Sequence, residues 1–301
     1  MRFQNPFPPI HRHLVTLVKQ MIRLRQSFTQ LHEAVGRIEA RQCAQAGAAG
    51  LRANEFKVYS QWGEDGILQH LIRHVPIARK IFVEFGVENY TEANTRFLLV
   101  NDQWSGLVID GSEENVAYIK ADPIYWRHHL KAVSAFITRD NIDELLRGNG
   151  LFGDIGLLSV DIDGNDYWVW ERIECVHPAI VVAEYNGLFG AARAVTVPYD
   201  AEFVREKAHP SCSYYGASLA ALVGLGRRKG YAFVGSNAAG SNAFFVRRDL
   251  RPESLPELTA AEGYVRRGFR EMRNADGSLA LCTFEEEAAL ALSLPLVEVE
   301  A

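Results

Sequence analysis

The apolar run Leu157-Leu158-Ser159-Val160 leads directly into Asp161, Asp163 and Asp166. An apolar strand that ends in acids delivers its carboxylates to one rim of a sheet. Three other apolar runs end the same way. "VEFGVEN" closes on Glu84, Gly86 and Glu88, "VIDGS" on Asp110, Gly111 and Ser112, and "AEYN" on Glu184, Tyr185 and Asn186. In open α/β sheets, ligands bind outside the carboxyl ends of the strands. Asp, Asn and Gly are also common loop residues, and Asp163 or Asp166 is equally placed to cap a following helix. Gathering this many acids in one cleft is nonetheless unfavourable unless a cation or a hydroxyl-rich ligand sits among them.

The elements that must position these acids alternate between short apolar runs and helical stretches. Strands are expected at 81–86, 106–110, 130–137, 155–163 and 179–186, and helices near 92–101, 113–121, 140–147, 166–173 and 217–228. "SQWGEDGILQHLIRHV" reads as a further helix, with Ser60 as N-cap and Ile67, Leu68, Leu71 and Ile72 on one face. This alternation indicates βαβ units around a parallel sheet covered on both faces. "YAFVGSNAAGSNAFFVRRD" then gives two strands about an Asn/Gly/Ser turn, a hairpin. Residues 251–301 read as helical and acidic, with no assignable role beyond covering the sheet.

The blocks "YSQWGEDGIL", "FVEFGVENYTEANTRFLL", "GLVIDGSEEN", "LLSVDIDGNDYWVWE" and "VVAEYNGLFG" together resemble an FkbM-like class I S-adenosylmethionine-dependent methyltransferase over residues 57–250. The resemblance implies an α/β fold: a Rossmann-like methyltransferase sheet, mostly parallel, ending in an antiparallel hairpin. It places Glu84, Gly86 and Glu88 near the amino-acid part of S-adenosyl-L-methionine. Asp110, backed by Gly111 and Ser112, would face the ribose hydroxyls, and Phe136 and Ile137 would flank the adenine. Where such a loop carries further glycines, this one reads "GVENYTEANT", with Asn89 and Tyr90 at the expected glycine position.

The implied reaction is O-methylation of a hydroxyl on a sugar, glycan or similar polar metabolite. Asp161, Asp163, Glu184 and Asn186 are oxygen donors of the kind that a hard cation such as Mg²⁺ takes. Without metal, Asp161 or Asp163 would act as general base. Among histidines, His209 lies in the connection after the fifth strand, on the ligand side. His128, His129 and His177 precede strands and fall at the opposite end. Tyr214, Tyr215 and Lys207 are candidates to shape an acceptor pocket, while Trp168 and Trp170 are expected to pack a helix against the sheet. The competing readings are a non-catalytic nucleotide- or sugar-binding protein, a scaffold, and a nicotinamide-dependent oxidoreductase. The last is disfavoured because no GxGxxG follows the first strand.

Ahead of this domain, Leu14, Leu17, Met21, Leu24, Phe28, Leu31, Val35 and Ile38 alternate spacings of three and four. This is the pattern of a coiled-coil helix that joins copies into a homo-oligomer. The expected organisation is a coiled-coil helix at 1–42, a linker at 43–56, the methyltransferase-like domain at 57–250 and an extension at 251–301. Seven basic residues against Glu33 and Glu39 give residues 1–42 a surplus of five positive charges; with -5 on the whole chain, the remainder carries -10. The acidic remainder disfavours a nucleic-acid partner, whereas the basic helix is compatible with peripheral contact to an anionic membrane. The four dispersed cysteines and the lack of an apolar leader fit a cytoplasmic location.

Overall fold

The computed structural model describes residues 8–47 and 50–301. Arg2 and the linker residues Ala48 and Ala49 lie outside the described residues. Seven strands form the main sheet: β1 (Ile81–Phe85), β2 (Ser105–Asp110), β3 (Leu130–Ser134), β4 (Gly153–Val160), β5 (Val176–Glu184), β6 (Tyr231–Ser236) and β7 (Asn242–Arg247). Their spatial order is β3-β2-β1-β4-β5-β7-β6. The first five are parallel, and β7 runs antiparallel between β5 and β6. This is the Rossmann-like methyltransferase sheet expected above, with its closing hairpin. Its chain reversal falls between β1 and β4, so the ends of those two strands open the crevice in which such sheets bind ligands.

The central strands are apolar at successive positions because both faces are covered. Val83, Phe85, Leu158 and Val181 point into one core layer, while Phe82, Leu157, Ile180 and Val182 point into the other. That alternation follows from the two-residue period of a strand. Trp170 is buried against Tyr231 and Phe245, and the Trp168 indole N–H donates to the Val197 carbonyl at 2.9 Å. Both tryptophans therefore serve packing.

Three expectations are corrected. The helix after residue 60 spans Glu64–His74 with Gly63 at its N-cap, so Ser60 is not the cap. Instead the loop before it folds around Asp65, whose Oδ2 accepts the N–H groups of Val58, Tyr59 and Ser60 at 2.7, 2.7 and 2.8 Å. A buried carboxylate with three backbone donors organises a loop more strongly than a hydroxyl cap does. Second, the extension is mostly irregular: its helices are limited to Ala260–Gly263 and Phe284–Ser293, and Val297–Glu298 pairs with Val195–Thr196 in a small ribbon. Third, β4 stops at Val160, so its acids stand in the loop beyond the strand.

The N-terminal helix runs through Pro8–Ala46, beyond the boundary expected at residue 42. Its second half is seated on the domain. The Tyr59 hydroxyl donates to Glu33 at 2.7 Å, and Arg73 donates to the Ala40 carbonyl at 3.1 Å. Gly36 admits Val58 and Phe97, since a Cβ there would stand 2.4 Å from the Val58 methyl. No helix among the described residues is long and apolar enough to cross a membrane.

Gly86 decides how closely the ends of β1 and β4 approach. It has a φ of +65°, and a Cβ would fall 1.9 Å from the Asp161 carbonyl oxygen. Gly86→Ala is therefore expected to destabilise the fold by about 2–4 kcal/mol through combined strain and clash. Urea denaturation checks this, and a loss below the error of the method would show that the two strand ends can move apart freely.

Candidate functional site

Gly86 and Glu88 after β1, Asp110 and Gly111 at the end of β2, and Phe136 and Ile137 after β3 line a single cleft. These are six of the eight residues expected to face a cofactor. Ile109, Ala135, Ile162, Asp163, Asn165 and Phe203 complete its wall. The Asp110 Oδ1 accepts the Ser112 N–H at 2.9 Å and the Asn115 amide at 3.1 Å, which fixes the carboxylate and leaves Oδ2 without a protein donor among the described residues. An oriented carboxylate of this kind can accept vicinal hydroxyls.

Glu88 and Tyr90 both adopt left-handed backbone, at φ 46° and 61°. Left-handed conformation is ordinary for glycine and exceptional for a bulky residue. Tyr90 is held in it by complete burial of its ring and by a 2.9 Å hydrogen bond between its hydroxyl and Thr95 Oγ1. The loop thus keeps a backbone shape usually left to glycine.

The Glu84 carboxylate does not reach the cleft. Its Oε1 accepts the Asn94 N–H at 2.7 Å, and its Oε2 accepts the Thr95 N–H at 3.0 Å and the Thr95 hydroxyl at 2.5 Å. It is a buttress for the loop, and burial pushes its pKa up to about 7. Ser112 is likewise corrected: its hydroxyl caps the helix Glu113–Ala121 by accepting the Asn115 N–H.

Beyond the cleft, Asp161, Asp163 and Glu184 bring carboxylate oxygens within 4.8 Å of one another. Desolvation, followed by repulsion from the neighbouring acids, holds both Asp161 and Glu184 well above the usual carboxylate range. The Glu184 Oε2 is buried with no hydrogen-bond partner among the described residues. An orphaned oxygen among three converging hard donors fits a divalent cation. Asn186 does not belong to this set. Its Oδ1 accepts the Leu188 N–H, and its amide donates to the carbonyls of Ser213 and Tyr215 at 3.0 and 3.1 Å, so its side chain is committed to loop structure. Asp166 also serves the loop, accepting the Ile162 and Gly164 N–H groups at 2.7 and 2.9 Å.

The residue that sequence reasoning missed is Arg205. Its guanidinium donates to Asp163 at 2.6 Å, to Glu271 at 2.7 Å and to the Cys212 carbonyl at 2.6 Å, and it lies 3.8 Å over the Tyr215 ring. Glu271 also pairs with Arg267, which in turn meets Glu287, and Glu287 accepts the Ser213 hydroxyl at 2.6 Å. Nothing local in the sequence marks the Arg205 ion pairs, because Asp163 and Glu271 lie 42 and 66 positions from it.

A recess of about 670 Å³ opens beside this network, within the range of small-molecule sites. Asp163 lines both the recess and the cleft. Glu271, Arg273 and Asn274 of the extension line the recess together with Arg205 and Glu206. Asp161 and Glu184 line neither space, but cluster with Asp163, which lines both. His209 lines neither space either. Its Nδ1 is bonded to Ser211 Oγ at 2.8 Å and belongs to the turn it begins. Tyr214 and Lys207 are also absent from the lining, and Tyr215 contributes only the ring beneath Arg205.

No protein-family model and no curated protein sequence matches the chain. Several solved structures resemble it. The N-terminal domain of EvdMO1 with SAH bound is 12% identical with a TM-score of 0.40, over 70% of this chain and 94% of that one. An O-methyltransferase from Bacillus cereus in complex with SAH is 11% identical with a TM-score of 0.34, over 70% and 89%. The CurJ carbon methyltransferase is 10% identical with a TM-score of 0.39, over 76% and 70%. Likeness at this level decides nothing about activity. The strand order carries the fold assignment.

The buried acids make stability depend on pH with a definite sign. Burial raises Glu84 to about 7 and Asp65 to about 6, above the roughly 4 of carboxylates in an unfolded chain. The folded state therefore keeps protons that the unfolded chain releases, and stability should fall as pH rises from about 4 to about 7. Urea denaturation of the wild type and Glu84→Gln across this window reads the effect. The wild type should lose stability relative to the variant as pH rises, and a relative gain would reverse the assignment.

Proposed function

We propose that the chain is an S-adenosylmethionine-dependent O-methyltransferase, FkbM-like in type, that methylates a hydroxyl of a sugar, glycan or similar polar metabolite. The observation that carries this reading is the convergence of residues from the ends of β1, β2 and β3 on one cleft, which meets a second, polar recess at Asp163. In this reading the cofactor occupies the cleft and the acceptor occupies the recess. When bound, S-adenosylmethionine supplies an already activated methyl group, so the protein's tasks are orientation and proton removal.

Asp110 orients the ribose by accepting its hydroxyls, and Phe136 and Ile137 flank the adenine. Gly86 and Glu88 lie towards the amino-acid end. Asp163, shared by both spaces, orients the acceptor where they meet. Asp161 receives the proton of the acceptor hydroxyl, with Glu184 beside it. A carboxyl whose pKa lies above the ordinary range is the better base near neutral pH. In the alternative arrangement, Asp161, Asp163 and Glu184 would instead hold Mg²⁺ or a similar cation, which would lower the pKa of a coordinated hydroxyl.

Calorimetric titration with S-adenosylmethionine, once with Mg²⁺ and once with EDTA, tests the reading. Saturable binding is expected, and binding that requires Mg²⁺ would place a cation at the three carboxylates. Asp110→Ala should weaken cofactor binding by roughly 10- to 100-fold, the value of hydrogen bonds to a charged group. Asp161→Ala should stop methyl transfer while leaving that affinity unchanged. In the wild type, turnover should rise with pH through an inflection above the usual carboxylate range, because only the deprotonated acid accepts a proton. The absence of cofactor binding under both conditions would instead favour a non-catalytic binding protein on this fold.

A further inference from the structure

We infer that the N-terminal helix pairs with the same helix of a second copy of this chain. Leu14, Leu17, Met21, Leu24, Phe28, Leu31, Val35 and Ile38 all lie on the surface, exposed by 43% to 62%. The chain's own domain cannot cover them. Glu33, Gly36 and Ala40 hold the helix to the body, and at about 100° per residue these positions sit roughly 160° around the axis from Val35 and Ile38. Over this second half the apolar seam is thus turned away from the body, and its first half is likewise exposed.

Spacing and area both select a second copy as the occupant. A seam that alternates three and four residues for four heptads keeps a 3.5-residue period, which matched helices need and a helix lying on lipid does not. Burying the exposed part of eight such side chains removes roughly 100 Å² each. Two helices together would then bury about 1,600 Å², a standard stable interface. Lys19, Arg23 and Arg37 fall outside the seam positions, so pairing buries none of their charges. A lipid surface would instead draw on Val15, Val18 and Ile22, which lie roughly 110° around the axis from the seam and are also exposed.

Sedimentation equilibrium of the full chain over micromolar concentrations should give twice the 33.7 kDa chain mass. Leu24→Glu combined with Leu31→Glu should return the mass to one chain with an unchanged thermal melt, since both side chains are exposed in the single chain. A wild type of one chain mass overturns the inference, whether or not it co-sediments with phosphatidylglycerol vesicles; co-sedimentation would make the helix a lipid-binding element. A double variant that keeps twice the chain mass also overturns it, by placing the interface elsewhere.

Discussion

The Arg205 guanidinium lies between Asp163, at the rim of β4, and Glu271, in the C-terminal segment, with its third bond to the Cys212 carbonyl. Its side chain is only 12% exposed, so this charge is largely withdrawn from water and must be matched by the protein. Three stretches of chain far apart in sequence are registered by that one requirement. Arg267, Glu287 and Ser213 continue the alternation of charge and hydroxyl into the helix Phe284–Ser293. The C-terminal segment is thereby attached to the acidic rim by ion pairs rather than by apolar packing alone.

The rim itself sets opposed demands. Asp161 and Glu184 are destabilised as anions by burial and by each other, while Asp163 is compensated by Arg205. Carboxylates standing side by side therefore have different environments, and such separation allows one to bind while another exchanges a proton. Structural carboxylates surround them. Asp65, Glu84 and Asp166 each accept backbone N–H groups and hold loops at the strand ends, Asp166 the one that carries Asp163.

The parallel sheet was legible in the sequence because central strands buried on both faces are uninterrupted apolar runs, and residues at their ends inherit a known position. Gly86, Glu88, Asp110, Gly111, Phe136 and Ile137 could be placed for that reason. What could not be read was the direction of a side chain at a strand end. Glu84 is two residues from Gly86, but Gly86 lies beyond β1 with a φ of +65°, and the Glu84 carboxylate is taken up by Asn94 and Thr95 rather than by the cleft. Asn186 and His209 looked available because their polar atoms have no visible claimants in sequence, whereas in space loop groups claim them. Arg205 and Glu271 were invisible for the complementary reason: an ion pair across 66 positions leaves no local pattern. The extension's irregular path was equally hidden, since its acidic and apolar residues suit a helix but are used in long-range pairs.

The left-handed backbone at Glu88 and Tyr90 has a consequence for how the cleft responds to a ligand. A glycine-rich loop reaches its shape as one of many and loses that freedom when it closes on a partner. In this loop the shape is imposed from below, by a buried aromatic ring and its hydrogen bond to Thr95. The ordering has been completed during folding, so the empty and filled loops should be nearly superimposable. Sensitivity to substitution moves accordingly, from the loop's surface residues to the buried contacts beneath Tyr90.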